Sequence, residues 1–190
     1  MYSERLERAI TLAMQAHAGQ IRKLDPKVPY ATHPVHVAFL VREAGGTEDC
    51  VIAALLHDVL EDSKVTAEEL RLAFGPRVSA IVLEVSEDKS LGWHARKARL
   101  VAGLQTASEE ACLIAAADKT HNLETLVAAH GRHGPSVWKA FRTEPHSTLR
   151  FYEETFATLK DRVPKVIREA YERALEATRG ILPPGGPTDP

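Results

Sequence analysis

Residues 55–62, with the sequence LLHDVLED, place one imidazole and three carboxylates directly after two leucines. Residues four apart share a helix face, so His57 is expected beneath Glu61 and Asp58 beneath Asp62. His57 and Asp58 diverge by roughly 100° around a helix, an angle that still lets them straddle one ion. Charged groups are seldom buried unless they are paired or bound. Imidazole and carboxylate ligands together suit a divalent metal such as Mn, Fe or Zn.

One helix cannot complete the coordination shell of such a metal, so other segments must contribute ligands. His33 lies in YATHPVH, and Asp118 follows an apolar run in LIAAADKTHN, where an ionised carboxylate needs a partner. Asp118 could instead pair with Lys119 or Arg22. If the metal site forms, two nitrogen and two oxygen donors leave positions for water and substrate. The four proposed ligands are His33, His57, Asp58 and Asp118.

Helices are predicted to position these residues, beginning with one over residues 3–18 and followed by a loop over 19–32. Pro34 suits the first turn of a helix that runs to about residue 43. Thr47 suits the N-cap of a helix that continues to residue 62 and carries the His-Asp pair.

The second half of the chain also contains signals for the starts and ends of helices. Thr66 and Glu69 form a capping box, and Ser108 suits the N-cap of a long helix closed by Gly131. Two or three more helices are predicted within 135–179, and strand-like alternation is scarce. The expected fold is all-α, a bundle of about 8–10 helices. Its domain is predicted over residues 1–180, followed by a flexible Pro/Gly-rich tail over 181–190.

Length and composition limit the classes of function. The chain has 190 residues, of which 44% are hydrophobic and 26% charged, as in an ordinary globular domain. Its formal net charge of -2 gives no general attraction to nucleic acids or acidic membranes. Cys50 and Cys112 are too few for a disulfide framework or a cysteine-rich zinc site. Without a signal peptide or membrane-spanning segment, the prediction is a cytoplasmic protein.

Five short segments, in order, resemble the motifs of HD-domain (p)ppGpp hydrolases. This family comprises the RelA/SpoT-type hydrolase domains and their stand-alone relatives, the small alarmone hydrolases. The segments are HAGQIRK (17–23), PYATHP (29–34), HDVLED (57–62), VSEDKS (85–90) and ADKTHN (117–122). The resemblance implies an HD-domain helical bundle and an enzyme that hydrolyses the 3′-diphosphate of (p)ppGpp. The products would be pyrophosphate and GDP or GTP.

The resemblance also implies a role for each motif residue. The family's metal, usually Mn²⁺, would be held by His33, His57, Asp58 and Asp118. Glu61 and Asp62 resemble the acidic pair that positions and activates the attacking water. Arg22 and Lys23 resemble the pair that contacts the nucleotide, and Asn122 matches a residue that bonds the ribose.

A substrate with two diphosphates requires positive charge near the metal. The loop 19–30 holds three cations against one acid, and a second basic cluster comprises Lys89 and residues 96–99. Lys89 is predicted to bind substrate phosphates, whereas Lys97 and Arg99 are interpreted as a solvated helix face.

Other ring-bearing residues are given structural roles. His17 is expected to pack against the core, and His36 and His121 are interpreted as near the site in sequence only. Tyr152 or Trp138 could stack on a base, although a role in the core is preferred for both.

Two alternatives to (p)ppGpp hydrolysis stay open. One is another HD phosphohydrolase, acting on ppApp or on NADPH at its 2′-phosphate. The Arg22-Lys23 pair and Asn122 favour the first function over a minimal HD phosphatase. The other is a non-catalytic nucleotide sensor, although such a protein would be expected to lose a ligand or an acid. The predicted partner is a nucleotide substrate, without nucleic acid or membrane, and an apolar C-terminal helix face could support a homodimer.

Overall fold

The structure is a computed structural model that describes residues 2–184, and most of these residues are helical. The helices are α1 (Glu4–Ala16), α2 (Thr32–Glu43), α3 (Glu48–Leu56), α4 (Val59–Asp62), α5 (Ala67–Phe74), α6 (Pro76–Val85), α7 (Trp93–Leu104), α8 (Glu109–His133), α9 (Pro145–Leu159) and α10 (Lys165–Arg179). A 3₁₀ helix spans Gly134–Ala140, and two short strands, β1 (Ile21–Arg22) and β2 (Asp25–Pro29), form a hairpin. The all-α prediction is confirmed.

Side-chain caps start several helices where the sequence predicts them. The Thr47 hydroxyl accepts a hydrogen bond from the Cys50 N–H at the start of α3, and Ser108 caps α8 in the same way. Thr66 and Glu69 form the predicted capping box of α5. These caps satisfy backbone N–H groups that would otherwise lack partners in the first turn of each helix.

The segment predicted as a loop over 19–32 contains the antiparallel hairpin β1–β2. Ile21 is paired with Pro29 and Arg22 with Asp25, with an irregularity between the two pairs. Prolines are tolerated here because the strands belong to a two-stranded sheet, where not every N–H is needed for pairing. The prediction of a simple loop was therefore wrong for residues 21–29, and the hairpin holds Arg22 in a fixed place.

The predicted helix through the His-Asp pair is interrupted at that pair. α3 ends at Leu56 and α4 begins at Val59, and Asp58 has φ −96° and ψ −7°. This bridge region is sparsely populated and is common among active-site residues. The continuous helix is corrected at this point, and the Glu61 N–H donates to the Asp58 carbonyl instead of that of His57. The Asp62 N–H still donates to the Asp58 carbonyl, so the predicted i, i+4 relation of Asp58 and Asp62 is retained. A second correction concerns α8, which passes Gly131 and ends before Gly134, where φ is +62°.

The core is built around α3 and α8. All residues of α3 from Cys50 to Leu56 are buried, and α8 is buried continuously from Ala111 to His121. Helices that are apolar on all sides belong in the interior. α8 packs against α2, α3, α6, α9 and α10, and α3 packs against α1, α2 and α6. The segments that carry His57 and Asp118 are therefore fixed by the core itself.

The end of the described chain contacts the 3₁₀ helix. The Trp138 indole N–H donates to the Ile181 carbonyl over 3.2 Å, and Leu182 packs nearby. Of the predicted tail, residues 185–190 lie outside the described residues, so the division at residue 180 stays a prediction. Between residues 2 and 184, no helix has the length and apolar character needed to cross a membrane.

Replacing Leu56 by Ala should lower the free energy of unfolding by about 2–5 kcal/mol, because the side chain is fully buried and its removal leaves a cavity. Leu72 of α5 is 73% exposed, and Leu72→Ala should change the same quantity by at most about 0.5 kcal/mol. Urea unfolding followed by circular dichroism measures both. Equal effects of the two substitutions would contradict the placement of α3 in the core.

Candidate active site

Four predicted ligands from three separate parts of the fold meet in one cluster. His33 lies at the start of α2, His57 and Asp58 lie between α3 and α4, and Asp118 lies within α8. His33 Nε2 is 3.1 Å from Asp118 Oδ1 and 3.6 Å from Asp58 Oδ2. His57 Nε2 is 3.2 Å from Asp58 Oδ2 and 3.9 Å from Asp118 Oδ1. Both imidazole nitrogens thus face the same two carboxylates.

The chemistry of this cluster fits a divalent metal. Donor atoms of His33, His57 and Asp58 all lie within 4.8 Å of one another, and Asp118 supplies a further oxygen beside both imidazoles. His57 Nε2 is buried and has no hydrogen-bond partner among the described residues, although Asp58 is close. A buried, unpaired nitrogen is costly unless it binds something. The cluster can therefore hold a divalent ion.

The orientation of the His57 ring directs Nε2 toward the proposed metal position and Nδ1 toward the backbone. Its Nδ1 lies 2.8 Å from the Ala54 carbonyl oxygen, which can only accept, so Nδ1 carries the hydrogen. Nε2 then faces the carboxylates and is the nitrogen that would bind a metal in place of a proton, as in many metal-binding histidines. Burial lowers the pKa of His57, but the negative charge of Asp58 outweighs it and raises the pKa to about 9. The same negative potential would attract a metal cation.

Asp118 and Asp58 are held in their ionised forms. Burial opposes ionisation of Asp118, but the adjacent Lys119 ammonium, in direct contact, holds its pKa well below the usual range. The positive charge of His57 likewise overcomes burial and lowers the pKa of Asp58. The Tyr30 hydroxyl donates to Asp58 Oδ2 over 2.6 Å, which further fixes that carboxylate. Two negative charges are therefore available to a cation.

Three histidines form a chain behind the cluster. His33 Nδ1 is 2.8 Å from His121 Nδ1, and His121 Nε2 is 2.8 Å from His36 Nδ1. Burial, followed by the proximity of His33 and Arg22, lowers the pKa of His121 to about 3, so this ring is neutral. If His33 Nε2 binds an ion, its Nδ1–H can donate to His121, which in turn donates to His36. The interpretation of His36 and His121 as near the site only in sequence was wrong.

The two acids after the His-Asp pair face the same cavity, which has a volume of about 210 Å³. Glu61 Oε1 accepts a hydrogen bond from the Glu87 N–H over 2.8 Å. Burial raises the pKa of Glu61 to about 7. Asp62 contacts the Lys89 ammonium, and Lys89 also lines the cavity. The structure thus places Glu61, Asp62 and Lys89 beside the proposed ligands, as the sequence predicts.

Lys97 also lines this cavity, contrary to its interpretation as part of a solvated face. Its Nζ is 2.5 Å from Glu87 Oε1 and 4.6 Å from the centroid of the Phe151 ring. Arg99 is instead exposed, as expected. The spacing of Lys97 to Leu100, one turn later on the buried side of α7, is the sequence signal that could have identified it. Arg96 and Lys119 join Lys97 in the cavity wall. Arg96 belongs to the basic cluster considered for phosphate binding, whereas Lys119 was missed as a site residue.

Of the predicted nucleotide-binding residues, Arg22 and Asn122 lie beside the proposed metal ligands, whereas Lys23 lies in a neighbouring cavity. Arg22 donates to Asn122 Oδ1 over 3.1 Å, and Asn122 donates to Asp118 Oδ1 over 2.5 Å, so both adjoin the cluster. Lys23 does not line the metal cavity. Its ammonium lies 4.1 Å from the centroid of the Phe141 ring and lines an adjoining cavity.

The structure also shows the burial of the three remaining aromatic positions considered in the sequence, His17, Trp138 and Tyr152. His17 is buried, with its ring 4.8 Å from that of Tyr30, in agreement with the expected packing role. Trp138 is buried in a cluster with Leu126, whereas Tyr152 is half-buried and lines the adjoining cavity.

This chain belongs to the HD-domain family, whose model matches residues 9–143. Among curated relatives, the guanosine-3′,5′-bis(diphosphate) 3′-pyrophosphohydrolase MESH1 of Xenopus tropicalis is 38% identical over 140 residues, which cover 73% of this chain and 76% of that protein. The Homo sapiens protein of the same name is 36% identical with the same coverage.

Solved structures show the same fold. A protein described as a metazoan ortholog of SpoT that hydrolyzes ppGpp aligns with a TM-score of 0.82 and 28% identity, over 96% of this chain and 99% of that one. A Listeria monocytogenes protein aligns with a TM-score of 0.70 and 31% identity, over 78% of this chain and 94% of its own. The expected membership of the HD-domain (p)ppGpp hydrolases is confirmed.

Replacing His121 by Leu should weaken Mn²⁺ binding about 10–100-fold, because the partner that orients the His33 ring is removed. His146→Leu, at an exposed position at the start of α9, should leave the affinity unchanged. Calorimetric titration of Mn²⁺ into the metal-free proteins gives both affinities, and thermal unfolding of the metal-free proteins checks folding. Wild-type affinity in a folded His121→Leu protein would contradict the role of the histidine chain.

Proposed function

We propose that this protein is a Mn²⁺-dependent hydrolase of the 3′-diphosphate of (p)ppGpp, with pyrophosphate and GDP or GTP as products. The observation that carries the proposal is the meeting of a His₂Asp₂ cluster with two further acids and several cations in one cavity. The relatives that bear the name of this activity support it. The proposed substrate is a nucleotide, and the predicted cytoplasmic location and homodimer stay predictions.

The proposed metal ligands are His33, His57, Asp58 and Asp118. When bound there, a divalent ion would lower the pKa of water and polarise a phosphoryl oxygen. Mn²⁺ is proposed because the mixed imidazole and carboxylate donors suit it. The histidine chain and Tyr30 hold the ligand side chains in place, so little rearrangement is required when an ion binds.

Glu61 is proposed as the proton acceptor for the attacking water. Its pKa of about 7 suits a base that works near neutral pH, and its position is fixed by the Glu87 N–H. Asp62 is proposed to orient the same water, with Lys89 holding its carboxylate in place. Water oxygen bonds to the phosphorus attached to the 3′ oxygen as Glu61 takes one water proton, and the bond from that phosphorus to the 3′ oxygen breaks. The protonated Glu61 then returns this proton to the departing 3′ oxygen. The result is a free 3′-hydroxyl and pyrophosphate.

The cations in the cavity wall are proposed to bind the 3′-diphosphate. Lys119 is buried near the cluster, and Lys97 and Arg96 are half-buried beside it, so their charges are only partly screened by solvent. Arg22 and Asn122 are proposed to contact the nucleoside, because their hydrogen bonds connect them directly to Asp118.

Purified protein with Mn²⁺ should convert ppGpp to GDP and pyrophosphate, and a chelator should abolish the reaction until Mn²⁺ is restored. Parallel assays with ppApp and NADPH, with products separated by chromatography, distinguish the alternatives. Orthophosphate from NADPH without pyrophosphate from ppGpp would identify a different phosphohydrolase. Binding of ppGpp without turnover by the metal-loaded protein would contradict the enzyme and favour a sensor.

Glu61→Gln and Asp62→Asn should each lower kcat about 100-fold or more with little change in KM, because each removes a proton acceptor or water-orienting charge but no proposed phosphate contact. Glu172→Gln is a matched control at an exposed position of α10 and should behave as wild type. Steady-state release of pyrophosphate provides both constants. Turnover within a factor of a few of wild type in both variants would remove these acids from the mechanism.

A further inference from the structure

A second cavity of about 620 Å³ adjoins the metal cavity. The two cavities share Tyr30, Arg96 and Lys97 in their walls, so a ligand at the metal can extend from one into the other. The adjoining cavity lies between the hairpin, α7 and the segment that leads into α9. None of its lining residues belongs to the proposed metal ligands.

The charged residues that line this adjoining cavity are all positive. Four cations line it and no carboxylate does, the four being Lys23, Arg96, Lys97 and Arg142. Arg96 and Lys97 share the single carboxylate of Glu87, which offsets only one of their two charges. Lys23 and Arg142, which line only the adjoining cavity, have no ion-pair partner within residues 2–184. Desolvation, followed by the positive charges of Arg142 and Lys97, lowers the pKa of Lys23. These cations repel each other, and an anion between them would relieve that repulsion.

A buried hydroxyl in the same wall also lacks a partner. Thr148 is 6% exposed, and its Oγ1 makes no hydrogen bond among the described residues. An unpaired buried hydroxyl is unfavourable, so it is expected to meet a ligand or water. Thr148 lies in the first turn of α9, whose N-cap residue Glu144 provides no side-chain cap. The positive end of the helix dipole adds to the preference for an anion.

We propose that the adjoining cavity binds the 5′-diphosphate or 5′-triphosphate of a nucleotide whose 3′-diphosphate occupies the metal cavity. This inference rests on the proposed function and makes the site selective for nucleotides phosphorylated at both ends. Arg142 and Lys23 bind the phosphate oxygens by charge-assisted hydrogen bonds, and Thr148 donates its hydroxyl. A neutral base in this position would leave Lys23 and Arg142 without a counter-charge, which is why the anionic end of the nucleotide is assigned here.

The test compares two substrates that differ only at the 5′ end, ppGpp and guanosine 3′-diphosphate with a free 5′-hydroxyl. In Arg142→Gln, KM for ppGpp should rise about tenfold or more with little change in kcat, whereas KM for the 5′-hydroxyl substrate should stay constant. Thr148→Val keeps the shape of the side chain and should produce a smaller change with the same selectivity. Arg150→Gln, an exposed cation of α9 outside the cavity wall, should have no effect on either substrate.

A binding measurement separates failure of this inference from failure of the proposed function. Calorimetry with the Mn²⁺-loaded protein should show weaker GDP binding in Arg142→Gln than in wild type, with guanosine binding unchanged. If this pattern holds while ppGpp releases no pyrophosphate, the hydrolase proposal falls and the phosphate subsite stands. Equal losses for both substrates in Arg142→Gln would assign the cavity to the base or ribose and overturn the inference. No change for either substrate in Arg142→Gln and Thr148→Val would overturn it as well.

Discussion

Asp118 is an ionised carboxylate on the central helix, almost completely removed from water. Such a charge is tolerated in the interior only when hydrogen bonds and opposite charges surround it. Lys119, Asn122 and His33 provide these contacts directly. His33 in turn contacts His121 of α8, and His121 contacts His36, so these contacts join α8 to α2 behind the carboxylate. The hydrogen bonds and ion pairs that stabilise this buried carboxylate are therefore also the contacts that hold the site together.

The helical core provides the precision that the chemistry needs. α3 is buried on all sides, so the end of that helix fixes His57, whose Nδ1 is bound to the Ala54 carbonyl. The break after Leu56 then turns Asp58 toward the imidazoles instead of along the helix. Placement on rigid elements, with hydrogen bonds behind the ligands, is the usual way of preorganising a site. The cavities adjoin this cluster, and their cations come from the hairpin, α7, α8 and the segments that precede α7 and α9.

Local signals predicted much of this arrangement. The capping residues Thr47, Thr66 and Ser108 act through backbone groups a few positions away, so their effects can be inferred from spacing alone. The break at Asp58 and the contact of His121 with His33 depend on how distant helices pack, and no short-range pattern encodes them. Lys97 was misjudged because charge suggests exposure, whereas Glu87 and Phe151 compensate its burial.

The central claim is that two imidazoles and two carboxylates share one cation, and an anomalous diffraction experiment tests it most directly. Crystals grown with Mn²⁺ and measured at the manganese absorption edge should show one strong anomalous peak within bonding distance of His33 Nε2, His57 Nε2 and carboxylate oxygens of Asp58 and Asp118. A manganese peak at another position, or one that lies beyond bonding distance of any of these four side chains, would contradict the shared metal site.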